Sequence, residues 1–210
     1  IPTIARALKV THVLEGSVRK AGSHVRITAQ LVDGSTSVHS WSQTYDRDVT
    51  DVFGVQDDIA GAVAEALQVR LTGASIPHGG QTRNTQAFER YLQGKYFFNR
   101  RGESDIARAK DYFEQALQID PEYARAWAGL AGVYHVAARP VSQSAVDTWR
   151  ETVQRALKLG PNLAESHVRA AQYYWQLGDS RIAEQHCKRA IELNPSDPLV
   201  LSVSAGATFM

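Results

Sequence analysis

The sequence predicts an α+β amino-terminal fragment, three strands plus a covering helix over residues 1–72, followed by an all-α solenoid of helical hairpins over 86–210. Three observations carry this. Residues 24–33 alternate apolar and polar, the two-residue period of a strand with one buried face. Residues 52–67 carry an apolar stripe at helical spacing. Three later segments repeat one another: Ala116-Leu117-Gln118-Ile119-Asp120-Pro121, Ala156-Leu157-Lys158-Leu159-Gly160-Pro161 and Ala190-Ile191-Glu192-Leu193-Asn194-Pro195.

Taken in order, Ile4 to Leu8 reads as the tail of a helix and Thr11 to Lys20 as a strand. Ala21-Gly22-Ser23 supplies a turn into His24–Asp33, where Val25, Ile27, Ala29 and Leu31 share one face and Arg26, Thr28 and Gln30 the other. Asp33-Gly34-Ser35 turns the chain into a third strand, Val38 to Tyr45, with Trp41 and Tyr45 on one side. Thr50 is the expected cap of the following helix, with Asp51 in its first turn and Val52, Ile59, Val63, Ala66 and Leu67 as its stripe over the sheet. Gly73 is the expected stop after Leu71. Residues 73–85, rich in Gly, Ser, Thr and Asn and without a period, read as a linker.

From Gln86 only helical periods appear, in pairs. The units run approximately 86–122, 123–162 and 163–196, with the start of a fourth over 197–210. Pro161 and Pro195 stand 34 apart, whereas Pro121 and Pro161 stand 40 apart, so the middle unit holds six extra residues, expected at Ala138–Ser144.

These residues resemble the tetratricopeptide repeat family. The second unit supplies Trp127, Leu130, Ala131 and Tyr134, then Val153, Ala156 and Pro161. The third supplies His167, Ala170, Ala171 and Tyr174, then Gly178, Ala183, Cys187, Ala190 and Pro195. The first supplies Tyr91, Phe98, Ala109, Phe113, Ala116 and Pro121, with about two extra residues near Arg100–Gly102. Small residues at Ala131, Ala171 and Ala183 let helices approach, and Trp127, Tyr134 and Tyr174 fill the space beside them. One hairpin cannot bury its own apolar face, so neighbours must stack into a curved array. The resemblance implies a concave, protein-binding groove lined by Leu92, Tyr96, Asn99, Arg100, Arg125, Ala128, His135, Val136, Val168, Gln172, Trp175 and Gln176. Some family members grip a terminal carboxylate with paired Lys, Asn and Arg on this face, and this sequence lacks that set. Arg100 and Arg125 are the expected contacts for an acidic segment, and Tyr96 and Trp175 for flat apolar groups.

The first part resembles the C-terminal portion of the TolB-like amino-terminal domain over Ile4 to Leu71. Matching stretches are Leu14-Glu15-Gly16-Ser17-Val18-Arg19, Arg26 to Asp33, Trp41 to Asp48 and Val52 to Ala60, in family order. The family domain begins with a further strand and helix, absent here, so an unpaired strand edge is expected. The resemblance implies a bacterial signalling protein with an upstream effector, such as a nucleotide cyclase, a kinase or a winged-helix DNA-binding domain. The chain opens on Ile1 and is read as a segment of a longer protein.

Composition narrows the function. Formal net charge is +1, so no global field draws nucleic acid or anionic membrane. No run of about 18 apolar residues exists to span a bilayer. A cytoplasmic segment is favoured, with a periplasmic part of a membrane-anchored protein as the alternative. The single cysteine, Cys187, reads as a small core residue rather than a reactive thiol. Phosphate-loop, dinucleotide and nucleophile-elbow motifs are missing. The seven histidines lack metal spacing, and His39 beside Trp41 reads as a strand-surface residue. Asp46, Asp48 and Asp51, with Asp57 and Asp58, read as a turn and helix start rather than a carboxylate site. The basic cluster of Lys95, Arg100 and Arg101 has no base-stacking module around it. The expectation is a protein-interaction and regulatory segment that binds a protein or peptide partner, needs no cofactor and is not itself an enzyme. The alternative is small-ligand sensing or catalysis in the first part, against the sheet near Arg26, Trp41 and Tyr45.

Overall fold

Three ten-residue strands, β1 (His12–Ala21), β2 (His24–Asp33) and β3 (His39–Asp48), form an antiparallel sheet in the order β1-β2-β3. The computed structural model describes residues 1–48, 51–67, 80–137 and 142–207, apart from the side chains of Val52 and of 204–207. Gly22, with φ of 60°, opens the two-residue turn that sets Ala21 opposite His24. On β2, Val25, Ala29 and Leu31 are buried, as the alternation predicts, and a register shift between Leu31 and Val32 buries Val32 as well. At the far end of β2 the Asp33 carboxylate accepts hydrogen bonds from the amides and hydroxyls of Ser35 and Thr36. These hold its pKa far below the usual carboxylate range. A short helix, α1 (Pro2–Leu8), buries Ala5 close against Gly34.

The helix α2 (Val52–Ala66) packs on β3. Its anchor is Val55, fully buried and absent from the expected stripe, while Ala66 and Leu67 at the other end of that stripe are exposed. The reason is that Val55 lies three residues from Val52 and four from Ile59, on the same face. The expected cap Thr50 and the stop at Gly73 lie outside the described residues, as do 73–79 of the linker and 138–141 of the insertion. Asp51 precedes α2 without a side-chain capping bond.

Contacts divide the chain into two compact units, Ile1–Ile76 and Pro77–Met210. The second holds α3 (Thr85–Arg100), α4 (Glu103–Ile119), α5 (Ala124–Ala137), α6 (Gln143–Leu159), α7 (Ala164–Gln176), α8 (Ser180–Leu193) and α9 (Pro198–Ala207). Asn84 caps α3 by accepting from the amides of Gln86 and Ala87, and Ser142 caps α6 through the amide of Ala145. The helices pair as α3–α4, α5–α6 and α7–α8, with α9 against α7 and α8. Ala131, Ala171 and Ala183 are fully buried, as expected of close crossings. Trp127, Tyr134 and Tyr174 are only half-buried; the wholly enclosed aromatics include Phe113, Tyr123 and Trp149. Trp127 instead ties its turn, donating from Nε1 to the Pro121 carbonyl at 2.8 Å. His167, its counterpart one unit later, reaches the Pro161 carbonyl with Nε2 at 2.9 Å, so the substitution preserves the bond.

Candidate functional site

The first helices of successive pairs lie side by side: α3 meets α5, α5 meets α7 and α7 meets α9. The second helices α4, α6 and α8 scarcely touch one another. An array that packs one row of helices and spreads the other curves toward the packed row, making α3, α5, α7 and α9 the inner face.

Of the expected groove residues, Leu92, Tyr96 and Val136 are exposed apolar groups. Ala128 and Val168 are not groove residues. Ala128 is enclosed by Ala156 and Leu163, and Val168 by Ala171, Cys187 and Val200, because both turn toward the partner helix. Arg100 is already engaged: Nε binds the Asp105 carboxylate at 3.1 Å and Nη1 donates to the Tyr96 hydroxyl at 3.2 Å. Asn99 and Gln176 are exposed, and Trp175 packs half-buried against the cluster holding Val200 and Val203 of α9.

Arg125, His135 and Gln172 come together around a residue that sequence reasoning missed. Arg169 of α7 is 4% exposed. It pairs with Glu165 at 3.1 Å, donates to Gln172 Oε1 at 3.1 Å and lies 5.5 Å from the Phe98 ring. Its path across α5 is open because Gly132 has no side chain; a Cβ there would sit 2.7 Å from the guanidinium carbon. Burial, then the charges of Arg169 and Arg101, lower the pKa of His135. Nearby, the Tyr91 and Tyr123 rings stand 5.1 Å apart, both buried. Burial, with Glu165 adding to it, drives the Tyr91 pKa far above the phenol range; burial and then Tyr91 do the same for Tyr123. The Arg125 side chain acts on the Tyr91 hydroxyl in the opposite sense, favouring its charged form. The signals were available in retrospect: Glu165 and Arg169 are an acid-then-base pair four apart, and Tyr123 holds the post-proline place of Leu163. The segment entering α3 also belongs to the repeats. Thr82 is buried, and the Gly80 carbonyl accepts the amide of Arg125 at 3.1 Å.

On the outer side a cleft of about 850 Å³ opens between α4 and α6, floored by Trp127, Leu130 and Tyr134 of α5 and edged by Glu114, Glu151, Arg155 and Lys158. In the first unit, the register opposes Ile27 to Tyr45 and Leu31 to Trp41, placing both aromatics on the α2 side. Arg26 points to the other face, bound to Asp46, so these three do not line one ligand surface. Among the described residues, no three His, Cys, Asp or Glu side chains gather as a metal site. No described helix is long and apolar enough to cross a membrane.

Residues 100–141 and 164–197 each match a tetratricopeptide repeat family model. The second unit carries tetratricopeptide repeats. A thermophilic tetratricopeptide repeat protein of Thermus thermophilus shares their fold with a TM-score of 0.51 and 18% identity, over 76% of this chain and 80% of that one. The second such domain of human RPAP3, solved with an HSP70 peptide, gives a TM-score of 0.46 at 18% identity, over 59% of this chain and 96% of that one. A curated relative, the putative adenylate cyclase 3 of Rhizobium meliloti (strain 1021), is 34% identical over 134 residues. That match takes in 62% of this chain and only 23% of the relative's length.

Proposed function

We propose that this chain is a protein-interaction segment of a bacterial signalling protein, binding a partner peptide or protein along the inner face of its repeats. One observation carries the reading. The packed row of α3, α5 and α7 carries exposed apolar groups, Leu92 and Tyr96 on α3 and Val136 on α5. The segment performs no chemistry itself. Partial similarity to a putative adenylate cyclase supports a regulatory setting, in which an effector elsewhere in a longer protein responds to the bound partner. The four stretches along β1, β2, β3 and α2 support a TolB-like first unit with a docking or sensory role.

The test compares three forms of the full chain as bait in cell lysate. Leu92→Ala with Tyr96→Ala trims the inner face; Arg155→Ala with Lys158→Ala trims the outer cleft. Both pairs are surface changes that leave the core intact. The inner-face variant should lose the proteins that the parent and the outer-cleft variant both recover. Equal recovery by all three, or loss only from the outer-cleft variant, refutes the inner-face reading.

A further inference from the structure

Two of the three hairpins carry a ring stack that the middle one lacks. In the third, His186 of α8 lies against Tyr174 of α7, with ring centroids 5.7 Å apart and planes within 6° of parallel. In the first, Tyr112 of α4 lies against Phe97 of α3 in nearly the same way, at 5.5 Å and 4°. Tyr112 and His186 hold one place in the repeat, each nine residues before the proline that closes its hairpin, Pro121 or Pro195. The middle hairpin has Thr152 in that place, nine residues before Pro161. Thr152 brings no ring, and its hydroxyl turns back to the Trp149 carbonyl at 2.7 Å. Among the described residues no ring stacks on Tyr134, the counterpart of Tyr174. The outer cleft of about 850 Å³ opens at this vacancy, with Tyr134 and Thr152 both in its lining.

Charge divides the same cleft. Arg155 lies 6.0 Å from the Trp127 ring, with Lys158 next along the α6 wall. Among the described residues no carboxylate lies within ion-pairing distance of either cation. At the Tyr134 end the α4 wall carries Lys110, 5.9 Å from that ring and already paired with Glu114 at 3.6 Å. Thr152 and Arg155 are three residues apart on α6, so they share one face.

We infer that this cleft is a binding site for a small planar aromatic carboxylate. Its ring takes the place against Tyr134 that His186 takes against Tyr174, and its carboxylate pairs with Arg155 and Lys158. The guanidinium fork suits a carboxylate, because two parallel N–H···O bonds form at once. Glu114 disfavours the reverse orientation, which would bring two carboxylates together. Small-molecule sites occupy about 300–1,000 Å³, with an apolar, aromatic lining and a few polar groups that fix orientation, and the cleft meets both conditions. The site lies on the outer side of the array and does not depend on the inner-face reading.

Isothermal titration of the full chain with 2-naphthoate tests this. A single equivalent should bind, about tenfold tighter than 2-naphthamide, which keeps the rings without the charge, and than cyclohexanecarboxylate, which keeps the charge without a flat ring. Arg155→Gln, an exposed change, should weaken 2-naphthoate about tenfold and leave 2-naphthamide unaffected. Thr152→His installs the ring that the other two hairpins have; it should abolish binding while melting no lower than the parent. Leu92→Ala with Tyr96→Ala should bind as the parent does. No binding at millimolar 2-naphthoate, equal affinity for the acid and its amide, or full affinity in Arg155→Gln overturns the site. So does a folded Thr152→His that still binds, or loss of binding in the inner-face pair. If Thr152→His fails to fold, Arg155→Gln decides alone: an acid–amide difference that survives the substitution refutes the site, and its disappearance supports it.

Discussion

Replacing Gly129 with alanine should destabilise the repeats, although alanine is the better helix former by about 1 kcal/mol. Gly129 lies inside α5, and a methyl carbon on it would stand 2.7 Å from both Cε1 and Cζ of Phe113. Carbon atoms pack at about 3.5–4.0 Å, so the overlap is roughly 1 Å. The Phe113 ring, 0% exposed, has little room to retreat, because Gly94 of α3 also lies against it, where a Cβ would again stand 2.7 Å from the ring. Overpacking a closed core costs about 1–3 kcal/mol, and a fully buried ring in contact with two neighbouring helices belongs at the upper end. Subtracting the helical gain leaves a net loss of about 1–2 kcal/mol, a fall in melting temperature of roughly 3–10 °C. Urea unfolding followed by far-ultraviolet circular dichroism measures it, with Gly61→Ala as the control. Gly61 is an exposed helical glycine in α2 with nothing within 4 Å of an added Cβ, so there the same substitution should stabilise its unit by up to about 1 kcal/mol. Shrinking the ring by Phe113→Leu should remove most of the Gly129→Ala penalty in a double-mutant cycle. If Gly129→Ala raises stability as Gly61→Ala does, or if its cost is the same with leucine at 113, the clamp around Phe113 does not exist.

Ala183→Leu should cost about 1–3 kcal/mol by the same overpacking, since Ala183 is fully buried in α8; an unchanged melting curve would refute that packing. Burial, with help from Glu184, pushes the Cys187 thiol up to about 11, so iodoacetamide at neutral pH should label it only after unfolding. His135 and His186 have native pKa values below the ordinary 6.5, both chiefly through burial. The unfolded chain therefore binds more protons than the native one as pH falls below 6.5. The stability present above 6.5 is lost as the pH falls from there through the lowered native values. Melting temperatures recorded from about pH 7.5 down to about pH 5.5 should fall, and His135→Gln with His186→Gln should flatten the slope. His186 also touches His167: His167 Nε2–H donates to the Pro161 carbonyl, leaving its Nδ1 to accept from His186 Nδ1–H at 3.0 Å.

What the sequence made legible follows from what repeats. The segments ending at Pro121, Pro161 and Pro195 recur because each hairpin must close and stack in the same way, so pairing, order and the start of α9 at Pro198 could be read without coordinates. Alternation along β2 likewise exposes its buried face, because a strand has only two faces to choose between. Residues that depend on three helices at once left no such trace. Phe113 is held between Gly94 of α3 and Gly129 of α5, and a helical glycine, taken alone, signals weakness rather than contact. Arg169 is identifiable as an i, i+4 partner of Glu165, yet its burial depends on Gly132 of a different helix letting it pass. Tyr123 sits in a turn, where an aromatic ordinarily means little, and becomes buried only because Tyr91 of the preceding hairpin stands against it. The errors at Ala128 and Val168 share this origin: a family pattern assigns faces within one repeat, whereas burial is settled by the neighbouring one.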